Sequence, residues 1–236
     1  MEKLTGIIRA AVERYNMIED GDRIAVGVSG GKDSLVLLCG LASLAKFYPK
    51  KFTVVALSVD PCFFGQDSDF SQIEELCQEL GVEYIVKRTQ LYRVVFEERQ
   101  EKNPCSLCAK MRRGILHNMA KEAGCNKLAL GHHSDDAAQT LLMNLFCSGM
   151  VESFRPVTYL SRKDLHVIRP MIFCDESKVS SAAERLALPV VKSACPMDKN
   201  TQREEVGSLL KELSARYPDL KTKLLGALQR GNISGW

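Results

Sequence analysis

An apolar run at residues 24–28 leads directly into a polar loop with the sequence SGGKDS. The loop consists of Ser29, Gly30, Gly31, Lys32, Asp33 and Ser34. Adjacent glycines let the backbone approach a ligand closely, and a helix beginning near Asp33 would aim its N–H groups at an anion. Because the serine hydroxyls and the lysine ammonium add donors and positive charge, the loop is suited to phosphate or pyrophosphate. The spacing excludes a Walker-type loop, and a plain glycine-rich turn is the alternative.

A second polar motif follows the strand predicted at residues 127–131 and contains His132, Asp135 and Asp136. Gly131, just before it, relieves crowding at the end of the strand. The carboxylates open the next predicted helix, where negative charge suits the helix dipole, so capping alone would account for Asp135. Hard oxygen ligands also suit Mg2+, and one carboxylate is predicted to help hold an ion that bridges phosphates. His132 would contact a phosphate or the charge that develops during a reaction.

Three cysteines stand apart from the apolar patterns of the sequence. Cys105 and Cys108 begin a predicted helix, and Cys195 lies in a loop far along the chain. Basic surroundings are expected to favour their thiolate forms, which bind metals. Three thiolates without a fourth protein ligand suit structural zinc poorly, but they suit a [4Fe-4S] cluster with one iron open for chemistry. A redox Cys-x-x-Cys pair and a persulfide carrier at Cys195 are the alternatives.

Five of the remaining six cysteines are predicted to be structural. The five that fall in or beside apolar patterns are expected to be small core residues, namely Cys39, Cys77, Cys125, Cys147 and Cys174. Cys62 lies in a predicted loop and is left undecided.

Basic residues are concentrated between residues 102 and 127. This segment contains six Lys or Arg and one acidic residue, a surplus that exceeds the net charge of +3 of the whole chain. A clustered basic face can neutralise phosphates, whereas a solvated helix face is the alternative. The candidate RNA-binding residues in this segment are Lys110, Arg112 and Arg113.

Composition restricts the class of protein. The chain has 236 residues, of which 45% are hydrophobic and 26% charged, as expected for one large globular domain with a small appended element. No segment approaches the apolar length of a membrane span, and the chain opens without an apolar signal segment. We therefore expect a cytoplasmic protein without a membrane partner, in which the nine cysteines stay reduced.

The hydrophobic pattern alternates between strand and helix. Strands are predicted at residues 23–28, 52–59, 82–87 and 127–131, and helices at residues 33–46, 70–80, 106–123 and 135–146. This order predicts an α/β fold, a Rossmann-like doubly wound parallel sheet with a small C-terminal helical extension. Because ligands bind beyond the carboxyl ends of such strands, Ser29, Asp60 and His132 are expected to converge on one crevice. We divide the chain into an N-terminal helix (1–20), the sheet domain (21–192) and a C-terminal part (193–236).

Five motifs in order resemble a known family. SGGKDS resembles the PP-loop of the ATP pyrophosphatases, which split ATP between the α and β phosphates. Together with PCSLCAKMRRGIL (104–116), LGHHSDDAAQTLLMN (130–144), IRP (168–170) and ACPMDKNTQR (194–203), it resembles the tRNA 2-thiocytidine synthetase family. The family often has a cysteine pair around its third ligand, whereas this chain offers only Cys195.

The resemblance implies an enzyme, a tRNA sulfurtransferase that uses ATP, Mg2+ and a [4Fe-4S] cluster. The PP-loop and the residues Asp60, Gly131, His132, Asp135 and Asp136 would bind the nucleotide, and Cys105, Cys108 and Cys195 would hold the cluster. The C2 carbonyl oxygen of a pyrimidine would be adenylated, and sulfur held at the cluster would displace AMP. Lys32, Asp135 and the three cysteines are the predicted catalytic residues. Implied partners are tRNA, a second copy of the chain, and a sulfur donor, either a cysteine desulfurase or inorganic sulfide.

Two other functions fit parts of the pattern. A cluster-free PP-loop ligase would adenylate a tRNA base or a small molecule for attack by an amine, and its cysteines would be structural or redox groups. A nucleotide-binding regulatory protein would not turn over ATP. The iron and sulfide content of the protein distinguishes the thiolase from the cluster-free ligase. ATP-dependent pyrophosphate release in the presence of tRNA distinguishes the thiolase from the regulatory protein.

Overall fold

A single sheet forms the centre of the computed structural model, which describes residues 2–99, 104–192, 194–197 and 202–236. Within these residues the strands are β1 (Asp22–Gly27), β2 (Phe52–Asp60), β3 (Glu83–Arg88), β4 (Lys127–Ala129), β5 (Val157–Leu160) and β6 (Leu165–Ile168). Their order across the sheet is β3-β2-β1-β4-β6-β5. All neighbouring pairs are parallel except β5 and β6, which are antiparallel.

Helices cover both faces of this sheet. In the described residues the α-helices are α1 (Glu2–Arg14), α2 (Lys32–Ala45), α3 (Ser71–Leu80), α4 (Pro104–Glu122), α5 (Ser134–Ser148), α6 (Glu176–Arg185), α7 (Gln202–Arg216) and α8 (Leu220–Arg230). Within the part of the chain that is described, no helix is both long and apolar enough to cross a membrane.

Successive side chains along the strands pack into two separate hydrophobic cores, one on each face of the sheet. Ile24 and Val26 of β1 pack into a core with α1, α2 and α6, whereas Ala25 between them belongs to a second core. The second core includes Leu57 and Leu128 of the sheet and Met119 of α4. Because successive strand residues point to opposite faces, this alternation fixes which helix covers which face.

A buried ion pair closes the amino ends of β1 and β4. Lys127 Nζ lies 2.7 Å from the Asp22 carboxylate, and both side chains are buried. Lys127 also donates to the Met17 carbonyl oxygen (2.9 Å), and the Asn126 amide donates to Asp22 (2.7 Å). The charges are therefore paired and hydrogen-bonded, as burial of charge requires.

The predicted elements match the structure to within a few residues. The pair β5–β6 is an antiparallel strand pair, and β6 joins it to the main sheet by parallel pairing with β4. One expectation needs correction. Cys147 was expected in the core and is exposed, since it lies in the last turn of α5 beside the exposed Phe146. Cys39, Cys77, Cys125 and Cys174 are buried as expected, and Cys62 is half-buried.

Candidate functional site

The SGGKDS loop joins β1 to α2 and is held by its own serines. The Ser34 hydroxyl donates to the Gly31 carbonyl oxygen (2.8 Å) and accepts from the Ser29 N–H (3.1 Å). Gly30 has φ +85, which favours glycine, and its carbonyl oxygen accepts from the Val191 N–H (3.0 Å). Since Gly31 is the N-cap of α2, the first-turn N–H groups of that helix face the loop.

The Lys32 ammonium is held between two carboxylates. It lies 2.7 Å from Asp33 and 2.9 Å from Glu176 at the start of α6. Burial favours the neutral amine, but the hydrogen bonds to both carboxylates outweigh it and leave the pKa of Lys32 above its ordinary value. Lys32 is therefore a charged group beside the loop. Glu176 also contacts His133 Nε2 at 2.8 Å and so links the loop to the second motif.

A cavity of about 580 Å³ opens at the carboxyl ends of β1 and β4. These strands meet at the point where the strand order reverses, the position at which doubly wound sheets bind ligands. Ser29, Asp33 and Ser34 line one side, and Gly131, His132 and Asp136 line another. Val28, Leu57, Val59 and Leu130 supply apolar walls, and Arg112, Arg113 and Arg203 contribute positive charge.

Gly131 permits the close approach of the two polar motifs. A Cβ at this position would lie 3.0–3.1 Å from the backbone atoms of Asp33 and Ser34. Because these are backbone atoms at the start of α2, they could not move aside without shifting the loop. The expected relief of crowding at Gly131 is confirmed.

His132 is a half-buried imidazole with an aromatic neighbour. Its ring centroid lies 4.9 Å from that of Phe154, and the Arg169 guanidinium lies 5.0 Å from the same Phe154 ring. Burial, with a further contribution from Arg169, lowers the pKa of His132 to about 4. His132 Nδ1 is buried and has no hydrogen-bond partner among the described residues. This side chain therefore presents a neutral ring to the cavity.

The two carboxylates of the second motif are paired with cations from the C-terminal helices. Asp136 caps α5 by accepting the His133 N–H (3.0 Å), and its other oxygen accepts from Arg203 of α7 (3.2 Å). Asp135 contacts Lys221 of α8 and accepts the Glu176 N–H (2.9 Å). These contacts lower the pKa of Asp135 although burial opposes them. Asp136 lines the cavity, whereas Asp135 is not among the residues that line it.

Asp60 has a different position from the one that its place in the sequence implies. Its side chain is fully buried and accepts from the Cys62 N–H (3.0 Å), the Ser68 N–H (2.8 Å) and the Ser68 hydroxyl (2.9 Å). The carboxylate thus anchors the loop after β2, and it is not among the residues that line the 580 Å³ cavity.

The three separate cysteines influence one another electrostatically. Burial raises the pKa of Cys105, and the proximity of Cys195 adds to the increase. Burial likewise raises the pKa of Cys108, with Arg112 opposing and the two other cysteines adding to the effect. The expectation that basic surroundings favour the free thiolates is therefore wrong, because burial and mutual repulsion outweigh Arg112. Cys195 is nevertheless near enough to Cys105 and Cys108 to contribute to the raised pKa of both, and all three side chains are half-buried.

A smaller cavity of about 240 Å³ joins the cysteine region to the loop. It is lined by Ser29 and Gly31 on one side and by Arg112 and Ala194 on the other. Arg112 lies one turn after Cys108 on α4, and Ala194 precedes Cys195, so residues next to two of the cysteines share this cavity with the loop. Arg112 and Arg113 also line the larger cavity, whereas Lys110 is exposed on α4 outside it.

Sequence reasoning missed four residues that complete this region. Glu176, Arg203 and Lys221 contact the motif residues across long stretches of chain, and the half-buried Arg169 lies near His132. Arg169 lies in the IRP motif (168–170), and Arg203 lies in the ACPMDKNTQR motif (194–203). For these two residues, therefore, the sequence did contain a signal of a functional role. Nothing in the local sequence distinguishes Glu176 or Lys221 from ordinary surface charges.

Comparison with known proteins places this site in a family. A model described as a PP-loop domain matches residues 4–213. The tRNA-cytidine(32) 2-sulfurtransferase of Syntrophotalea carbinolica is 40% identical over 236 residues, covering 99% of this chain and 88% of the relative. The protein of the same name from Geobacter metallireducens is 39% identical over 229 residues, covering 96% of this chain and 88% of the relative.

Solved structures agree with this assignment. The U34-tRNA thiolase NcsA from Methanococcus maripaludis, determined with its [4Fe-4S] cluster, superposes with a TM-score of 0.77 at 28% identity. The superposition covers 97% of this chain and 77% of that one. An NH3-dependent NAD synthetase from Campylobacter jejuni shares the fold at 17% identity, with a TM-score of 0.51, covering 100% of this chain and 96% of that one. The chain therefore belongs to the PP-loop family and, within it, to the tRNA 2-thiocytidine synthetases.

Proposed function

We propose that this protein is an ATP-dependent tRNA thiolase that replaces the C2 oxygen of a cytidine with sulfur. The observation that carries the proposal is the proximity of the phosphate-binding loop to the cysteine region. Ser29 of the phosphate-binding loop lines the 240 Å³ cavity together with Arg112, one turn after Cys108, and Ala194, the residue before Cys195. The relatives are named for cytidine 32 of tRNA, and we propose the same nucleotide here.

ATP would occupy the larger cavity, with its base against the apolar walls and its phosphates against the loop. The N–H groups at the start of α2 and the hydroxyls of Ser29 and Ser34 would bind the phosphates that leave as pyrophosphate. Lys32 would exchange its ion pairs with Asp33 and Glu176 for ion pairs with these phosphates. The cytidine C2 oxygen would attack the α-phosphorus, forming a C–O–P bond as the bond to pyrophosphate breaks.

The oxygen donors of the larger cavity fit Mg2+. Asp33 and Asp136 line it together with two serine hydroxyls, and such hard ligands suit this ion. When bound, Mg2+ would offset the negative charge of the departing pyrophosphate. Because Asp136 also accepts from Arg203, that guanidinium would orient the carboxylate toward the cavity.

The donor set of the cysteine region fits an iron–sulfur cluster. Cys105, Cys108 and Cys195 would supply three sulfur ligands from two segments, and a positive metal centre would favour the thiolate forms of Cys105 and Cys108, whose pKa values are raised in its absence. Cys105, Cys108 and Cys195 would hold a [4Fe-4S] cluster, which would supply the binding site for the incoming sulfur. Sulfur attack at C2 of the adenylated base then releases AMP with the former carbonyl oxygen.

Basic residues beside the cysteines would receive the tRNA. Arg112 and Arg113 line the cavity, and Lys110 lies exposed on the same helix. Guanidinium groups pair well with phosphates and would position the RNA backbone. An unpaired loop nucleotide is the cheapest to unstack into such a site, which favours a tRNA loop as the substrate.

We further propose a homodimer that acts in the cytoplasm. An exposed apolar patch at the end of α5, which contains Phe146, Met150 and Val151, supports association with a second copy. The nine cysteines, all within the described residues, form no disulfide, which suits a reducing compartment where a cysteine desulfurase or inorganic sulfide would supply sulfur. Light scattering of wild type and Phe146→Asp tests the dimer, because the charge should shift the mass to that of the monomer.

Reconstitution tests the proposed activity. Anaerobically purified protein with iron and sulfide restored should convert cytidine to 2-thiocytidine in an unmodified tRNA, releasing AMP and pyrophosphate in step with product. An iron-free protein that forms an amine adduct of a base would instead support the ligase. Retained thiolation in a variant that lacks bound iron would contradict the role of the cluster.

A further inference from the structure

An aromatic pocket lies outside the machinery described above. Phe64 is 60% exposed, and its ring centroid lies 4.8 Å from that of Tyr92. Tyr92 in turn stacks on Phe96 at 5.3 Å with an interplanar angle of 22°. We call the cavity formed by Phe64, Tyr92 and the neighbouring Arg88 and Arg93 the aromatic pocket, and its volume is about 560 Å³.

The loop that carries Phe64 is firmly tied to the sheet. The buried Asp60 carboxylate accepts from Cys62 and Ser68 at the two ends of the loop, and the Tyr92 N–H donates to the Pro61 carbonyl oxygen (3.2 Å). Phe64 itself has φ +55, a conformation that is unfavourable for a bulky residue. The exposed Phe64 ring therefore belongs to a segment that hydrogen bonds hold against the sheet.

Arginines stand at the edge of this pocket. Arg88 pairs with Asp67 at 2.8 Å and Arg93 pairs with Glu98 at 3.0 Å, and all four side chains are exposed. Exposed ion pairs contribute little to stability, so either guanidinium can exchange its carboxylate for a phosphate at small cost. Glu97 is the acidic residue among those that line the pocket itself.

The aromatic pocket lies next to the crevice where the chemistry is proposed. Phe63 lines the 240 Å³ cavity together with Ser29 and Arg112. Its ring centroid lies 5.9 Å from that of Tyr92 in an edge-on arrangement. One layer of aromatic side chain therefore separates the nucleotide loop from the pocket.

We propose that the aromatic pocket stacks an unpaired nucleotide of the RNA substrate, adjacent in the strand to the base that enters the crevice. This inference rests on the proposed function. Extracting one base from a loop leaves its neighbour without a stacking partner, and aromatic rings beside arginine are the usual receptors for unpaired RNA bases. Phe64 and Tyr92 supply the rings, and Arg88 and Arg93 would contact the flanking phosphates.

Fluorescence of an introduced tryptophan tests the stacking directly. The chain has a single tryptophan, Trp236, which is buried and gives the baseline signal. In Phe64→Trp, saturating unmodified tRNA should reduce the added emission at least about twofold, since an aromatic ring at this position stacks on a base. Phe47→Trp is the matched control, because Phe47 is similarly exposed (56%) at the far end of α2. Equal quenching at both positions, or none at Phe64→Trp, would overturn the inference.

Affinity supplies a second readout. Phe64→Ala should weaken binding of the same tRNA about 5- to 100-fold while Phe47→Ala leaves it unchanged, as expected for the loss of one stacked base. Unchanged tRNA affinity of Phe64→Ala contradicts the inference. If Phe64→Trp is quenched by tRNA but no thiolated cytidine ever forms, stacking stands and the proposed function fails. If thiolated cytidine forms while Phe64→Trp is not quenched, only the stacking fails.

Discussion

Lys32 is the residue whose surroundings must change most when a nucleotide binds. It now pairs with Asp33 and Glu176, and ATP phosphates would have to replace at least one of these carboxylates. Lys32→Met should weaken ATP binding about 10- to 100-fold, because charge-assisted hydrogen bonds are strong. Calorimetric titration with a non-hydrolysable ATP analogue measures this change.

Glu176→Gln is the matched control for Lys32. The amide keeps hydrogen-bonding capacity toward Lys32 and His133 but removes the competing negative charge. We expect analogue affinity equal to or above that of wild type. A loss as large as that of Lys32→Met would show that Glu176 itself helps to hold the nucleotide or its metal ion.

His132 should make stability depend on pH. Its pKa is lowered to about 4 by burial and by Arg169, against a usual value of about 6.5 in an unfolded chain. Between these values the unfolded state binds more protons, so the free energy of unfolding should decrease as the pH falls from about 6.5 to about 4. Urea unfolding at several pH values in this range measures the slope. His132→Asn should flatten it, and an identical slope in that variant would contradict the account.

At the scale of elements, the junction of β4 with α2 depends on one glycine. In Gly131→Ala the added Cβ would lie 3.0–3.1 Å from the backbone of Asp33 and Ser34, so α2 and its loop must shift. We expect weaker binding of the ATP analogue, measured as for Lys32. Gly6→Ala is the control, because the added Cβ meets nothing within 4 Å in the interior of α1. That variant should gain about 0.5–1 kcal/mol of stability.

The opposite end of the same strands depends on Lys127 and Asp22. Lys127→Met would leave the Asp22 carboxylate buried beside Asn126 without its cation, and such losses cost about 3–5 kcal/mol. Urea unfolding should show a decrease of this size. The double variant Asp22→Leu/Lys127→Met should recover part of it, and equal destabilisation in single and double variants would contradict the charge argument.

The fold and half of the site could be predicted because they depend on local patterns. Alternation of strands and helices fixed where Ser29 and His132 would lie, and the structure places both at one cavity. The position of Asp60 could not be predicted, because whether a carboxylate after a strand faces a ligand or anchors a loop depends on partners such as Ser68. Glu176 and Lys221 are long-range partners, and no spacing rule connects them with the loop or with Asp135.

At the scale of the whole molecule, the C-terminal part completes a site that the sheet begins. Arg203 and Lys221 pair with Asp136 and Asp135, and Cys195 lies near Cys105 and Cys108. The division near residue 193 stays a prediction, and the PP-loop domain match runs from residue 4 to residue 213. The ion pairs of Arg203 and Lys221 join the C-terminal helices to the second polar motif.

The central claim is that the cysteine group serves sulfur transfer to a tRNA base. Its most direct test is nucleoside mass spectrometry of tRNA from cells that lack the gene and carry wild type, Cys195→Ser or Cys147→Ser, with iron measured in each purified protein. Cys147 is exposed at the end of α5 and is the matched control. We predict 2-thiocytidine with wild type and Cys147→Ser, and neither 2-thiocytidine nor bound iron with Cys195→Ser. Normal 2-thiocytidine with an iron-free Cys195→Ser protein would contradict the account.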